Sequence, residues 1–240
     1  MVYNKMHIIA LIPARSGSKG IPNKNIKLYK GLPLMAHSIN IAKQCKFINE
    51  VYVSTDSEEY QKIAVQYGAK VFELRPAEIA DDLSPDIDTF KHFLKWCKDY
   101  NMQIPDIIIH LRPTYPNRTL ELLNNCIIEF LSKYENYHSL RTVVKIKNSP
   151  YKMYYIMRNN LIPFITEDPR FLEPYNQARQ NFVDTYLHNG CIDIVKTSVI
   201  LKHGLLSGSN ILPYIMDENE TDDIDELKDF IDSEKKVCRV

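Results

Sequence analysis

Apolar positions in the first half of the chain fall into two alternating rhythms. Short unbroken runs at 6–13 (MHIIALIP), 50–55 (EVYVST), 69–74 (AKVFEL) and 106–111 (DIIIHL) read as strands covered on both faces. Between them lie longer segments with apolar residues at helical spacing. The spacing predicts helices over 34–45 behind Pro33, 57–68 with Ser57 as cap and Gly68 as stop, 87–100 with Phe90, Phe93, Leu94 and Cys97 on one face, and 119–134 behind a Thr119 cap. Strands alternating with helices over short connections predict an α/β fold with a mostly parallel central sheet and helices on both faces. Ligands in such folds sit at the carboxyl ends of the strands, so the loops that matter begin near residues 13, 55, 75 and 112.

After a further run at 139–146 (SLRTVVKI) the rhythm changes. Residues 149–165 read as a hairpin around Asn159-Asn160, followed by a loop-rich stretch. Runs at 190–196 and 210–216 read as strands, with a short helix between them and a last helix over 223–236. The expected organisation is one domain over 1–240, with 149–190 as an excursion from the main sheet.

Composition changes this picture little and charge distribution changes it more. The 240 residues carry 30 cations and 30 acids, with 45% hydrophobic residues, which suits a globular protein and argues against binding nucleic acid or membrane through bulk charge. Yet residues 1–49 contain no acid and eight cations, whereas 217–234 carries ten acids and only Lys228. The five cysteines and seven histidines show no metal spacing, and His110 reads as a hydrogen-bonded core histidine. No apolar run reaches the length of a signal peptide or a membrane span, so the expectation is a cytoplasmic protein.

The candidate chemistry begins in the first loop, LIPARSGSKGIPNKN (11–25). It lacks the spacing of a P-loop and of a dinucleotide fingerprint. What remains is a Gly-Ser turn after the first strand, whose backbone N–H groups and cations Arg15, Lys19 and Lys24 suit phosphate oxygens. A basic surface turn is the plainer alternative. At the other end, Asp223 and Asp225 are two positions apart. In extended chain they project to one side and suit a shared hard cation such as magnesium, although Asp225 also suits a cap for the last helix.

These segments together resemble the acylneuraminate cytidylyltransferase family, the CMP-nonulosonic acid synthetases. Ala14, Arg15, Ser18, Lys19, Lys24 and Asn25 match the family's CTP-binding element position for position, and VSTDSEE (53–59), RPAEIADD (75–82), LRPTYPNR (111–118), SPYKM (149–153), ARQNF (178–182) and DDIDELKDF (222–230) follow in the family's order. The resemblance implies a Rossmann-like nucleotidyltransferase fold and CMP transfer from CTP to the anomeric hydroxyl of a nine-carbon 2-keto sugar acid, with pyrophosphate released. It also implies Mg2+ on Asp223 and Asp225, with Arg15, Lys24 and Asp225 as the catalytic set. A dimerisation subdomain within 149–190 is implied, making the protein a homodimer.

For the sugar the same resemblance points to Arg112, Thr114, Lys152, Arg179 and Gln180, and it matches Asn189 and Gly190 as a tight turn. Many family members carry Gln where Arg112 stands and a small Ser where Tyr115 stands. Arg112 then suits the sugar carboxylate or a differently decorated sugar, and Tyr115 suits a narrower pocket; both tilt the expectation toward a di-N-acylated sugar. Asp56 and Arg118 are left between ligand and structural roles, and Asn25 between phosphate and loop. The alternatives are a Kdo-type nucleotidyltransferase, a glycosyltransferase using Asp223-x-Asp225, and a non-catalytic nucleotide-binding module.

Overall fold

The computed structural model describes residues 6–217 and 223–235. They form two compact units, one of residues up to 142 with 190–214 and 223–235, the other of residues 143–189 with 215–217.

The first unit is organised by a six-stranded sheet. Its strands are β1 (Ile8–Pro13), β4 (Glu50–Ser54), β5 (Ile107–His110), β6 (Ser139–Ile146), β9 (Thr185–Lys196) and β10 (Ile211–Met216), in the order β10-β6-β9-β5-β1-β4; the last three straddle the division between the units in sequence. β1 pairs in parallel with both β4 and β5, and β5 pairs antiparallel with β9. Every residue from Ile8 to Ile12 is buried, so β1 is covered on both faces, as its unbroken apolar run requires. Ile9 and Leu11 pack with Phe90, Phe93, Leu94 and Cys97 of α3 (Asp86–Asp99) and with Val199 and Ile200 of α5 (Thr197–His203). α1 (Leu34–Gln44) lies against β1 and β4 and also meets α4 (Leu120–Ser132). The predicted caps are present: Ser57 accepts from Tyr60 N at the start of α2 (Glu58–Gln66), and Thr119 accepts from Leu122 N.

Three expectations need correction. Residues 69–74 form no strand. Lys70 makes one bridge to Tyr52, and the next apolar residue, Phe72, packs its ring against Phe93 and Trp96 (centroids 5.3 and 5.5 Å) instead of continuing the edge. The turn of the second unit's hairpin lies one residue early. Arg158 and Asn159 hold its two left-handed positions (φ 49° and 66°), and Asn160 already pairs with Met157 between β7 (Tyr154–Met157) and β8 (Asn160–Pro163). The tight turn expected at Asn189-Gly190 is absent, because both residues lie inside β9. A small hairpin of β2 (Leu28–Tyr29) and β3 (Leu32–Pro33), too short to show as a period, escaped the sequence reading.

One packing cluster positions the acidic end of the chain. Ile21, Tyr29, Leu34, Ile224 and Phe230 are mutually packed, Phe230 coming from α6 (Leu227–Lys235). Tyr29 meets Phe230 edge-on at 5.5 Å, and its hydroxyl bonds Ser233 Oγ at 2.7 Å. Ile224 is fully buried there while Asp223, partly covered, and Asp225 on either side reach solvent, the two-residue alternation expected of extended chain.

Candidate active site

The first loop leaves β1 at Pro13 and is held in shape by its own polar residues. Ala14 is buried and donates its N–H to Ser54 O at the adjoining strand end. Asp56 takes the backbone N–H and the hydroxyl of Ser16 (2.8 and 2.7 Å), so it shapes the loop. Asn25, also buried, donates to Arg15 O at 2.9 Å and so braces the loop while it lines the cavity. Ser18 N bonds Ser16 O in the turn between them.

This loop meets the acidic segment directly. Lys24 Nζ donates to Ile224 O at 2.8 Å and lies 3.3 Å from Asp225 Oδ1. Ile224 N in turn bonds Thr114 O at 3.0 Å, and the Thr114 side chain bonds the Asp223 carboxylate. Gly20 passes so close that a Cβ there would sit 2.5 Å from Asp225 O. The Asp225 side chain is turned toward Lys24; it is Asp229 that takes the N–H groups of residues 225 and 226 at the start of α6. The helix cap and the carboxylate pair are therefore separate devices.

The enclosed space is a cavity of about 350 Å³. Arg15, Ser18, Lys19, Lys24, Asn25, Arg112, Thr114 and Asp225 line it together, with Asp223 beside Thr114 and Asp225. Partial burial pushes the Asp223 carboxyl up from its ordinary value, and Asp225 pushes the same way against the Thr114 hydrogen bond. Lys152, Arg179 and Gln180 belong to the second unit. There Lys152 Nζ donates to Tyr175 O at 2.6 Å, and Arg179 and Gln180 are exposed on a turn of 3-10 helix.

Sequence reasoning missed four residues here: Arg75, Asp81 and Asp86 line the cavity, and Asp82 pairs with two of its lining cations. Arg75 is buried and donates to Ser54 Oγ and O (3.1 and 2.8 Å), with burial lowering its pKa and no acid within ion-pair distance among the described residues. Asp81 and Asp82 come from the loop that follows it, and Asp86 opens α3. Asp82 accepts from both Arg15 and Lys19, and Asp86 from Arg112. The block RPAEIADD was visible as a match, but nothing in its spacing marked which side chains turn inward.

Arg112 is already well occupied. Nη1 donates to Asp193 Oδ2 (2.8 Å) and Gly190 O (3.1 Å), and Nη2 to Asp86 Oδ2 (2.9 Å). Three of its five N–H groups are thereby used. Arg118 is buried and braces the loop through Cys191 O, Ser38 Oγ and Arg112 O, which is a structural role. Tyr115 is buried and does not line the cavity, so it does not narrow it.

His110 is a core residue, as expected, but not a hydrogen-bonded one. Its Nε2 is buried without a partner among the described residues, and Nδ1 lies 3.9 Å from Asp193 Oδ2. Burial, helped by the Arg112 charge, lowers its pKa to about 4. The folded protein therefore refuses a proton that the unfolded chain accepts below about 6.5. Stability present above that pH should be lost as pH falls toward 4, by about 3 kcal/mol in total. Urea midpoints at pH 7, 6 and 5 would check it: His110→Gln should flatten the decline, and an unchanged slope would refute the assignment.

Comparison with known proteins identifies the family. A family model described as Cytidylyltransferase matches residues 9–153. The chain is 35% identical, over 93% of its length, to the N-acylneuraminate cytidylyltransferase of Escherichia coli, and spans about half (50%) of that relative. It is 30% identical to the CMP-N,N'-diacetyllegionaminic acid synthase of Campylobacter jejuni, covering 93% of this chain and 92% of the relative. Among solved structures it superposes on CMP:2-keto-3-deoxy-manno-octonic acid synthetase in complex with CTP, with a TM-score of 0.68 over 95% and 97% of the two chains at 16% identity, a likeness of fold.

Proposed function

Because the chain belongs to the cytidylyltransferase family, we propose that it transfers CMP from CTP to the anomeric hydroxyl of a nine-carbon 2-keto sugar acid and releases pyrophosphate. The observation that carries this reading is the joining of the cationic first loop to the acidic segment in one cavity, through Lys24, Ile224 and Asp225. The reaction moves a phosphoryl centre between two oxygens, so the protein's work is to position the reactants and neutralise charge.

Arg15 and Lys19 are the cations of the loop nearest in chemistry to the triphosphate's outer phosphates, where the leaving group gains charge. Lys24 is committed to the acidic segment and holds Asp225 facing the loop. Asn25, Ala14 and Ser18 give the loop the shape in which its N–H groups reach phosphate oxygens. Arg75, buried and without an acid partner among the described residues, adds a further donor for the nucleotide.

The carboxylates of Asp223 and Asp225 fit a magnesium ion. They are hard oxygen donors that flank buried Ile224, and Asp225 disfavours the charge of Asp223, which a cation between them would relieve. When bound, the ion would neutralise phosphate oxygens and help the sugar hydroxyl lose its proton. Among the described residues no three acidic, histidine or cysteine side chains form a ready-made cage, so phosphate and water oxygens would complete its shell.

The sugar is assigned to the loop after β5, where Arg112 and Thr114 line the cavity and two N–H groups of Arg112 are left over from its protein partners. A di-N-acylated acid is the expected substrate. Lys152, Arg179 and Gln180 keep the sugar role that the family resemblance implies, with Lys152 and Arg179 serving a second copy of the chain. The second unit carries an exposed apolar hairpin, Ile156 and Leu161 being 76% and 65% exposed, which supports pairing of two copies. No helix among the described residues is long and apolar enough to cross a membrane, and the reading places the enzyme in the cytoplasm with its CTP.

The test is incubation with CTP, magnesium and a panel of nine-carbon 2-keto acids, with an eight-carbon acid included, followed by mass identification of products. A CMP-linked nine-carbon acid and one pyrophosphate per turnover are expected. Pyrophosphate release no faster than with CTP alone, across the whole panel, would end the proposal. Turnover of the eight-carbon acid alone would reassign the sugar.

A further inference from the structure

The three cations of the first loop are not equally free. Lys24 is held by the acidic segment. Arg15 Nη2 and Lys19 Nζ meet the two oxygens of a single carboxylate, Asp82, each at 2.5 Å. Among the described residues neither cation has another acid within ion-pair distance. One oxygen per cation is the arrangement that a phosphate group bridging the same two side chains would adopt.

Asp82 is presented there by a fixed turn. Asp81 accepts from the N–H groups of Leu83 and Ser84 and from the Ser84 hydroxyl (2.8, 2.6 and 2.7 Å). The Lys19 side chain is 80% exposed, while Arg15 and Asp82 are 29% and 26% exposed. The exposed Lys19 bridge is of the weak kind that a stronger anion readily displaces, and the Arg15 bridge is the one a phosphate must compete for. The nucleotide chemistry assigned above gives Asp82 no task of its own.

We propose that Asp82 is an internal anion that occupies the triphosphate grip between turnovers, so that CTP must displace it to bind and its return helps expel pyrophosphate. This rests on the proposed function, since it takes Arg15 and Lys19 as the triphosphate's cations. Asp82 is then an affinity-setting residue whose removal strengthens binding, the opposite of what removing a support does. Only ligands that reach both cations feel it. CTP and pyrophosphate do, and CMP, which lacks the outer phosphates, does not.

The experiment compares the full chain with Asp82→Asn and Asp82→Glu. Steady-state KM for CTP, the inhibition constant of pyrophosphate and the dissociation constant of CMP are measured with magnesium present. Removing both bridges from the competing state should lower both KM for CTP and the pyrophosphate constant by about threefold to tenfold in Asp82→Asn. CMP binding should be unchanged, and Asp82→Glu should stay near the parent. If Asp82 merely braced the loop, both constants would rise in Asp82→Asn, and a rise or no change overturns the inference. Absence of CTP binding to the parent protein would overturn the functional reading and the inference together, whereas tight CTP binding with no gain in the variant overturns the inference alone.

Discussion

Asp225→Asn is expected to lower kcat roughly 100-fold to 1,000-fold, the loss typical of removing one preorganised charge-stabilising group from a reacting phosphoryl or acyl centre. The change removes a charge from the carboxylate pair but keeps the side chain's size. The rest of the local structure has its own supports: Lys24 still has Ile224 O, Ile224 is still packed with Tyr29 and Phe230, and Asp229 still caps the start of α6. The Asp225 side chain is 73% exposed, so the melting temperature should move little. Circular dichroism melts beside steady-state rates separate the two effects. A kcat within about threefold of the parent would remove Asp225 from the reaction.

Gly20→Ala should be the most damaging small substitution in the chain's first loop. The added carbon would sit 2.5 Å from a backbone carbonyl oxygen, that of Asp225, and no rotamer change moves a backbone atom. The loop and the acidic segment must separate, at the roughly 1–3 kcal/mol typical of overpacking. Spent on the distance between phosphate grip and carboxylates, that is about a tenfold to 100-fold loss in kcat/KM for CTP. Gly17→Ala is the internal control, because a carbon there meets only the Arg15 side chain at 3.6 Å. Equal kcat/KM for the two variants would show that the close approach at Gly20 has no bearing on activity.

Much of the fold was legible because the relevant forces are local or periodic. β1, β4 and β5 announce themselves as unbroken apolar runs since both faces are covered, and Ser57 and Thr119 cap their helices as short-range chemistry dictates. The strand expected at 69–74 failed for a tertiary reason: the Phe72 ring is drawn into the aromatic group formed by Phe93 and Trp96, a pull that no window of sequence contains. In the site, the cations of the first loop and the Asp-x-Asp pair were readable from spacing and family resemblance. Their partners were not. Asp82 on Arg15, Asp86 and Asp193 on Arg112, and Ser54 on Arg75 are pairings across loops that only the packed chain brings together.

The tether between Lys24 and Asp225 spans 201 positions of chain. Closing so long a loop has an entropic cost that nearby contacts do not share, and it is met only after the central sheet has brought the ends close. The expected result is that, on dilution from denaturant, helix and sheet signals return ahead of nucleotide turnover; simultaneous return would refute a late-forming cavity.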